Sequence, residues 1–126
     1  MDYETGLAEL VNELRGRAGL APLEYDEELS SLARTRATDL MARGCLTSSM
    51  ALGEALYAAG LTGRIAKENL AAGPKNAPGV LQSWLENSVN SSALKNPNYN
   101  CQGVGFVRGG THGTYWVQIL ARKRII

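Results

Sequence analysis

Apolar residues in the first two thirds of the chain recur at intervals of three and four, which places them on one face of a helix. A first segment carries Leu7, Leu10, Val11 and Leu14. A second segment carries Leu29, Leu32, Ala33, Ala37, Leu40 and Met41. Asp26 can cap the second segment and Gly44 can end it. The pattern therefore predicts two amphipathic helices.

Two shorter helices are predicted in the middle of the chain. Ser48 or Ser49 can cap the first of them, which ends near Gly60. Asn76 and Pro78 are suited to open the second. Its apolar positions are Val80, Leu81, Trp84 and Leu85. Helices thus dominate the region before the last third.

Strand patterns are fewer and lie mostly late in the chain. We expect strands at residues 65–71, 103–108 and 114–121. The glycine-rich residues 109–113 have the length of a hairpin loop between the last two strands. Gly103 and Gly105 indicate close packing of a helix against their strand rather than a phosphate loop.

The last predicted strand has two apolar faces. One face carries Tyr115, Val117 and Ile119, and the other carries Trp116, Gln118 and Leu120. A sheet of this kind needs helices on both sides. The sequence therefore predicts an α+β fold, a three-layer α-β-α sandwich with about four helices around a small, mainly antiparallel sheet.

The length and composition suit one domain spanning residues 1–126. The 13 basic and 12 acidic side chains leave a net charge of +1, which gives no reason to expect nucleic acid as a partner. No apolar run approaches the roughly 18 residues that span a bilayer, and no stretch reads as a signal peptide. Either the protein is cytosolic or the chain begins after a removed leader.

Several short motifs follow one another along nearly the whole chain. They are Asn12 with Arg15, Gly19-Leu20-Ala21-Pro22-Leu23 with Asp26, Ala33-Arg34 with Ala37 and Met41, Lys67-Glu68-Asn69-Leu70, Trp84, Asn96-Pro97-Asn98-Tyr99, and Gly103-Val104-Gly105. This ordered set resembles the CAP superfamily of cysteine-rich secretory proteins, antigen 5 and plant pathogenesis-related proteins, in particular its small bacterial branch. The resemblance implies an α-β-α sandwich, in agreement with the periodicity.

The resemblance also implies a central cleft where two histidines and one or two glutamates can bind a divalent metal. Here Ser48 and Asn90 stand at the histidine positions. Glu68 is kept, whereas Asn87 stands at the second glutamate position and Glu86 lies one residue early. A hydroxyl, two carboxamides and one carboxylate are poor donors for zinc. We therefore expect no metal and no cofactor at this degenerate cleft.

The candidate ligand-binding residues of the cleft are Ser48, Glu68, Asn69, Asn87 and Asn90. Glu68 either faces a ligand or accepts hydrogen bonds from backbone N–H groups of an adjacent loop. Asn69 and Asn90 are open to similar alternatives, because asparagines bind polar ligands and also close turns. We expect His112, in the predicted hairpin loop, to be a solvated residue rather than a metal ligand.

The two cysteines, Cys45 and Cys101, are too few for a thiolate metal site. The resemblance places them near the same end of the cleft and so implies a disulfide between them. A bridge would suit the secreted habit of the family. Two buried thiols are the alternative.

These features favour a non-catalytic, CAP-like module of a secreted or cell-envelope protein, binding an unknown ligand or envelope component. We expect a monomer without a transmembrane segment, whose leader is not present in this chain. One alternative is a peptidase-like hydrolase that uses Glu68 and Glu86 as an acid/base pair. Another is a small lipid- or sterol-binding domain, since some family members bind such ligands between helices. The absence of a Gly-x-Ser-x-Gly motif argues against a serine hydrolase.

Overall fold

Five helices and four strands make up residues 2–61 and 65–123, the part of the chain that the computed structural model describes. The helices are α1 (Tyr3–Arg17), α2 (Glu27–Arg43), α3 (Leu52–Ala58), α4 (Ala77–Leu85) and α5 (Ser88–Leu94). The strands are β1 (Glu24–Tyr25), β2 (Ile65–Ala72), β3 (Cys101–Gly109) and β4 (Gly113–Arg122). Among these elements, periodicity does not indicate α5, in which four of seven residues are serine or asparagine, or β1, which has two residues. Within the described ranges, no helix is both long enough and apolar enough to cross a membrane.

Side-chain caps determine where four of these helices begin. The capping residues are Asp2, Asp26, Asn76 and Asn87. Asp26 accepts a hydrogen bond from the Leu29 N–H at 2.9 Å, and Asn76 accepts one from the Gly79 N–H at 2.9 Å. Each cap satisfies a backbone donor that the helix itself leaves unpaired. The predicted starts of α2 and α4 are confirmed.

The predicted cap of α3 is wrong. The helix follows Ala51, which has no capping side chain. Ser49 instead donates its N–H and its hydroxyl to Asp39 of α2, at 2.9 and 3.1 Å. The Ser48 hydroxyl accepts a hydrogen bond from Arg36. Both serines are engaged by the preceding helix, so neither is available to the following one.

The strands form one mixed sheet in the order β1-β3-β4-β2. β1 is parallel to β3, and the other neighbours are antiparallel. Tyr115, Val117 and Ile119 of β4 pack with α2 and α3, whereas Trp116 and Leu120 pack with α1, α4 and α5. The two predicted faces of the last strand and the three-layer α-β-α sandwich are therefore confirmed.

Helix α2 lies directly on β3 because β3 has glycine at two positions that face the helix. A Cβ atom at Gly103 would lie 2.3 Å from the carbonyl carbon of Leu29. One at Gly105 would lie 2.2 Å from the backbone nitrogen of Arg34. No side chain fits at these distances, so the glycines allow helix and strand backbones to approach closely, as predicted.

Asn12 and Arg15, the first motif of the sequence, hold two loops against α1. Asn12 both donates to and accepts from the backbone of Leu23, at 3.0 and 2.8 Å. Arg15 is 1% exposed and donates to the carbonyl oxygens of Leu94 and Asn96, at 3.0 Å each. Burial lowers the pKa of Arg15, but a guanidinium remains charged at neutral pH. The motif therefore stabilises the position of two segments, with Asn12 binding the one before β1 and Arg15 the one before β3.

The predicted disulfide between Cys45 and Cys101 is wrong, because these residues are not bonded to each other. Cys101 is buried at the start of β3, and Cys45 is exposed after the end of α2. α2 runs along β3, so that Gly44 lies beside Thr111, beyond the far end of the strand. The nine residues of β3 extend over roughly 25 Å, whereas disulfide-bonded Cα atoms lie within about 7 Å.

Candidate functional site

The centre of the candidate site is an ion pair between α2 and β2. Arg36 donates from Nε to Oε2 of Glu68 and from Nη2 to Oε1, both at 2.7 Å. The Arg36 side chain is 5% exposed and that of Glu68 is 17% exposed. Two parallel charge-assisted hydrogen bonds form the strongest arrangement between these groups. Among the described residues, the partner of Glu68 is thus a guanidinium rather than the backbone N–H groups of a loop.

The same guanidinium binds the loop that follows α2. Its Nη1 donates to the carbonyl oxygen of Met50 at 3.0 Å, and its Nη2 donates to the Ser48 hydroxyl at 3.3 Å. One turn further along α2, the backbone N–H and then the hydroxyl of Ser49 hold the pKa of the Asp39 carboxyl below its ordinary value. Three successive residues of the loop, Ser48, Ser49 and Met50, therefore bind side chains of α2.

Asn69 points to the opposite face of the sheet from Glu68, because successive strand residues alternate. Its Nδ2 donates to Oε1 of Gln118 at 3.2 Å and to the carbonyl oxygen of Asn90 at 3.5 Å. Gln118 donates in turn to Gln102 at 2.9 Å, and Gln102 donates to the carbonyl oxygen of Ala8 at 3.2 Å. The three amide side chains are fully buried. They form a polar chain across β2, β4 and β3, in which Asn69 Oδ1 has no partner among the described residues.

The remaining predicted residues lie on the α4 and α5 side of the sheet. Asn87 caps α5 and accepts from the N–H groups of Val89 and Asn90, at 3.0 and 3.1 Å. Glu86 is exposed after α4 and accepts a hydrogen bond from Gln82 at 3.4 Å. The fold therefore brings Ser48 to Glu68 through Arg36, brings Asn90 to Asn69, and uses Asn87 as a helix cap.

The donors around Glu68 do not suit a divalent metal. Both of its carboxylate oxygens are bound by Arg36, whose positive charge repels a second cation at the same place. Ser48 offers only a hydroxyl, whereas zinc sites use three or four strong donors. In residues 2–61 and 65–123, no group of three His, Cys, Asp or Glu side chains is arranged to hold a metal ion.

A cavity of about 410 Å³ lies between α2 and α3 beside the ion pair. Its lining residues are Leu32, Thr35, Arg36, Asp39, Ser49, Met50, Ala55, Ala58 and Ala59. Most of the wall is aliphatic, and three of its four polar residues, Arg36, Asp39 and Ser49, also attach the loop to α2. The cavity therefore suits a small ligand with an apolar body and one polar end.

Known proteins share this fold. The model of the CAP family, the cysteine-rich secretory protein family, matches residues 8–120. The chain belongs to the CAP family. Among bacterial relatives, the uncharacterized protein YkwD of Bacillus subtilis (strain 168) is 32% identical over 120 residues. The aligned region covers 92% of this CAP chain and 46% of YkwD.

Two solved structures illustrate the shared CAP fold. An extracellular protein of Bacillus anthracis that contains an SCP domain matches with a TM-score of 0.86 and 24% identity, over 96% of this chain and 40% of that protein. An outer surface protein of Borrelia burgdorferi also matches with a TM-score of 0.86, at 20% identity, over 95% of this chain and 92% of the Borrelia protein. This CAP chain therefore spans less than half the length of YkwD and of the Bacillus anthracis protein.

Arg36 is the site residue that sequence reasoning missed. The signal was present, because Arg36 lies in the helical period of Ala33, Ala37 and Leu40, which form the buried face of α2. A cation on the buried face of a helix needs a partner, since burial of an unpaired charge is costly. In the structure, that partner is the carboxylate of Glu68.

Proposed function

We propose that this CAP domain is a non-catalytic binding module of a secreted or cell-envelope protein. The observation that carries the proposal is the ion pair between Arg36 and Glu68. A carboxylate whose two oxygens accept hydrogen bonds from a guanidinium is a weak general base and a weak metal ligand, because its charge and lone pairs are already engaged. The retained glutamate of the cleft therefore stabilises the fold around a binding cavity.

The hydrolase alternative finds no support in the geometry of its two carboxylates. Glu68 faces α2, whereas Glu86 follows α4, which packs on the opposite face of the sheet. The two groups of an acid/base pair must both reach the same substrate bond. Glu68 and Glu86 lie on opposite sides of the sheet and cannot both reach one bond.

Zinc added in slight excess is expected to give neither a calorimetric binding signal nor a rise in melting temperature. In a broad screen of hydrolase substrates, we expect equal, background-level rates for the wild type and Glu68→Gln. Glu54→Ala, which removes an exposed carboxylate of α3, is the control for adventitious zinc binding. Micromolar zinc binding that is lost only in Glu68→Ala, or hydrolysis that is lost in Glu68→Gln, would contradict the proposal.

The cavity between α2 and α3 is the ligand site of the proposed module. The neutral, apolar dye N-phenyl-1-naphthylamine is expected to bind there with increased fluorescence. Ala58→Phe fills the cavity and should weaken dye binding by about tenfold or more. Ala42→Phe, on the exposed side of α2, should leave it unchanged. Equal dye affinity in both variants would place the ligand elsewhere.

The extracytoplasmic location is also part of the proposal. It is supported by the Bacillus anthracis relative, described as extracellular, and by the Borrelia burgdorferi relative, described as an outer surface protein. The cysteines give no support, because Cys45 and Cys101 are not bridged to each other.

A further inference from the structure

We infer that this chain has a second binding site, for a small phosphate ester, at the hairpin end of the sheet. A cavity of about 440 Å³ is lined there by Tyr3, Lys75, Arg108, His112 and Thr114, among others. It shares no residue with the cavity between α2 and α3. Its lining includes two permanent cations and an imidazole but no carboxylate.

Arg108 is held in place before any ligand arrives. Its Nη2 donates to the Tyr3 hydroxyl at 2.7 Å. Its guanidinium carbon lies 4.9 Å from the centre of the Tyr3 ring and 5.6 Å from that of Phe106. A guanidinium has five N–H donors in a planar fork, and this arrangement leaves most of them for a second partner. Such a fork matches two oxygens of a phosphoryl group.

Lys75 extends from a loop whose backbone is anchored immediately before it. The carbonyl oxygen of Pro74 accepts from the Thr114 hydroxyl at 2.7 Å and from the Trp116 indole N–H at 3.0 Å. The preceding residue, Gly73, has φ +104°, and it lines the cavity without a side chain. The Lys75 side chain therefore starts from an anchored backbone, next to a glycine that leaves space in the cavity.

Within residues 2–61 and 65–123, no carboxylate neutralises the positive charges of this cavity. Neither Lys75 nor Arg108 is in an ion pair with a carboxylate of the described residues. The nearby Glu4 is turned away, since its carboxylate binds Arg34 and the N–H of Phe106. An anion with two negative charges would therefore gain attraction from both cations without displacing a protein carboxylate.

The size of the cavity distinguishes a phosphate ester from a bare anion. A volume of about 440 Å³ is several times that of inorganic phosphate, so space remains for an organic body. The ring of Tyr3, which is 41% exposed, offers that body a flat apolar surface. A singly charged carboxylate would use one cation and leave the other unpaired. The combination favours a sugar phosphate or a molecule of similar size.

Titration with glucose 6-phosphate, followed by calorimetry, tests this inference. Saturable binding is expected for the wild type and should weaken by about tenfold or more in Lys75→Gln and in Arg108→Gln. Lys95→Gln removes another exposed lysine, which does not line the cavity, and this variant should bind as the wild type does. Lys75→Gln is expected to keep the wild-type melting temperature, so that its loss of affinity reports the site rather than the fold.

Several results would overturn the inference. They are absence of saturable glucose 6-phosphate binding, equal affinity in Lys75→Gln and Lys95→Gln, and equally tight binding of glucose, of gluconate or of inorganic phosphate. Co-sedimentation with phosphatidylglycerol vesicles without binding of glucose 6-phosphate would also overturn it, because it would indicate a membrane surface rather than a small ligand.

Discussion

Gly105→Ala is expected to lower the free energy of unfolding by about 3 kcal/mol or more, or to prevent folding altogether. The added Cβ would lie 2.2 Å from the backbone nitrogen of Arg34 and 2.3 Å from the carbonyl carbon of Ala33. Because these are backbone atoms inside α2, no side chain can rotate away, and the whole helix must move off β3. Urea unfolding followed by circular dichroism measures the loss.

The matched control for this variant is Gly16→Ala in α1. Apart from its chain neighbours and the backbone of α1 itself, a Cβ at Gly16 meets no described atom within 4 Å, and the residue is helical. Alanine there should stabilise the protein by roughly 0.5–1 kcal/mol, since glycine is unfavourable inside a helix. If Gly105→Ala unfolds at the same urea concentration as the wild type, α2 does not pack directly on the backbone of β3.

Arg36→Met is expected to lower the free energy of unfolding by about 3 kcal/mol, because it leaves a largely buried carboxylate without its cation. Methionine keeps most of the aliphatic stem, so the loss reports the charge and its hydrogen bonds rather than a cavity. The same variant should loosen the loop that carries Ser48 and Met50, which Arg36 binds directly. Thermal and urea unfolding measure the first effect, and amide hydrogen exchange measures the second.

Two further variants make the result specific to the buried pair. Arg17→Met removes an exposed partner of Glu13, with side chains 77% and 60% exposed, and should change stability very little. The double variant Arg36→Met/Glu68→Leu should recover most of the loss, since an apolar pair needs no compensating charge. If Arg36→Met is as stable as the wild type, the ion pair does not stabilise the fold.

Much of the fold was predictable because its causes are local. The caps Asp26 and Asn76 act on N–H groups three residues away. The alternation of Tyr115 and Trp116 between two faces follows from strand geometry alone. α5 escaped prediction because four of its seven residues are serine or asparagine, which leaves too few apolar positions to show a helical period.

The candidate site was predictable only in part. Ser48 and Glu68 do meet, but through Arg36, a residue 32 positions from Glu68 in the chain. The separation of Glu68 from Asn69 could have been deduced, because neighbours on a strand face opposite sides. The position of Cys45 relative to Cys101 could not be deduced, since it depends on the direction in which α2 runs along β3.

The sequence by itself determined four of the five described helices, the late strands and the two apolar faces of the sheet. These features depend on periodicity and on contacts between residues that are close in sequence, so they can be deduced without the tertiary structure. Only the tertiary structure decided which polar groups are paired. The Arg36–Glu68 pair and the Asn69–Gln118–Gln102 amide chain join segments that are distant in sequence. Burial makes such pairings obligatory, but the packing of the layers selects the partners.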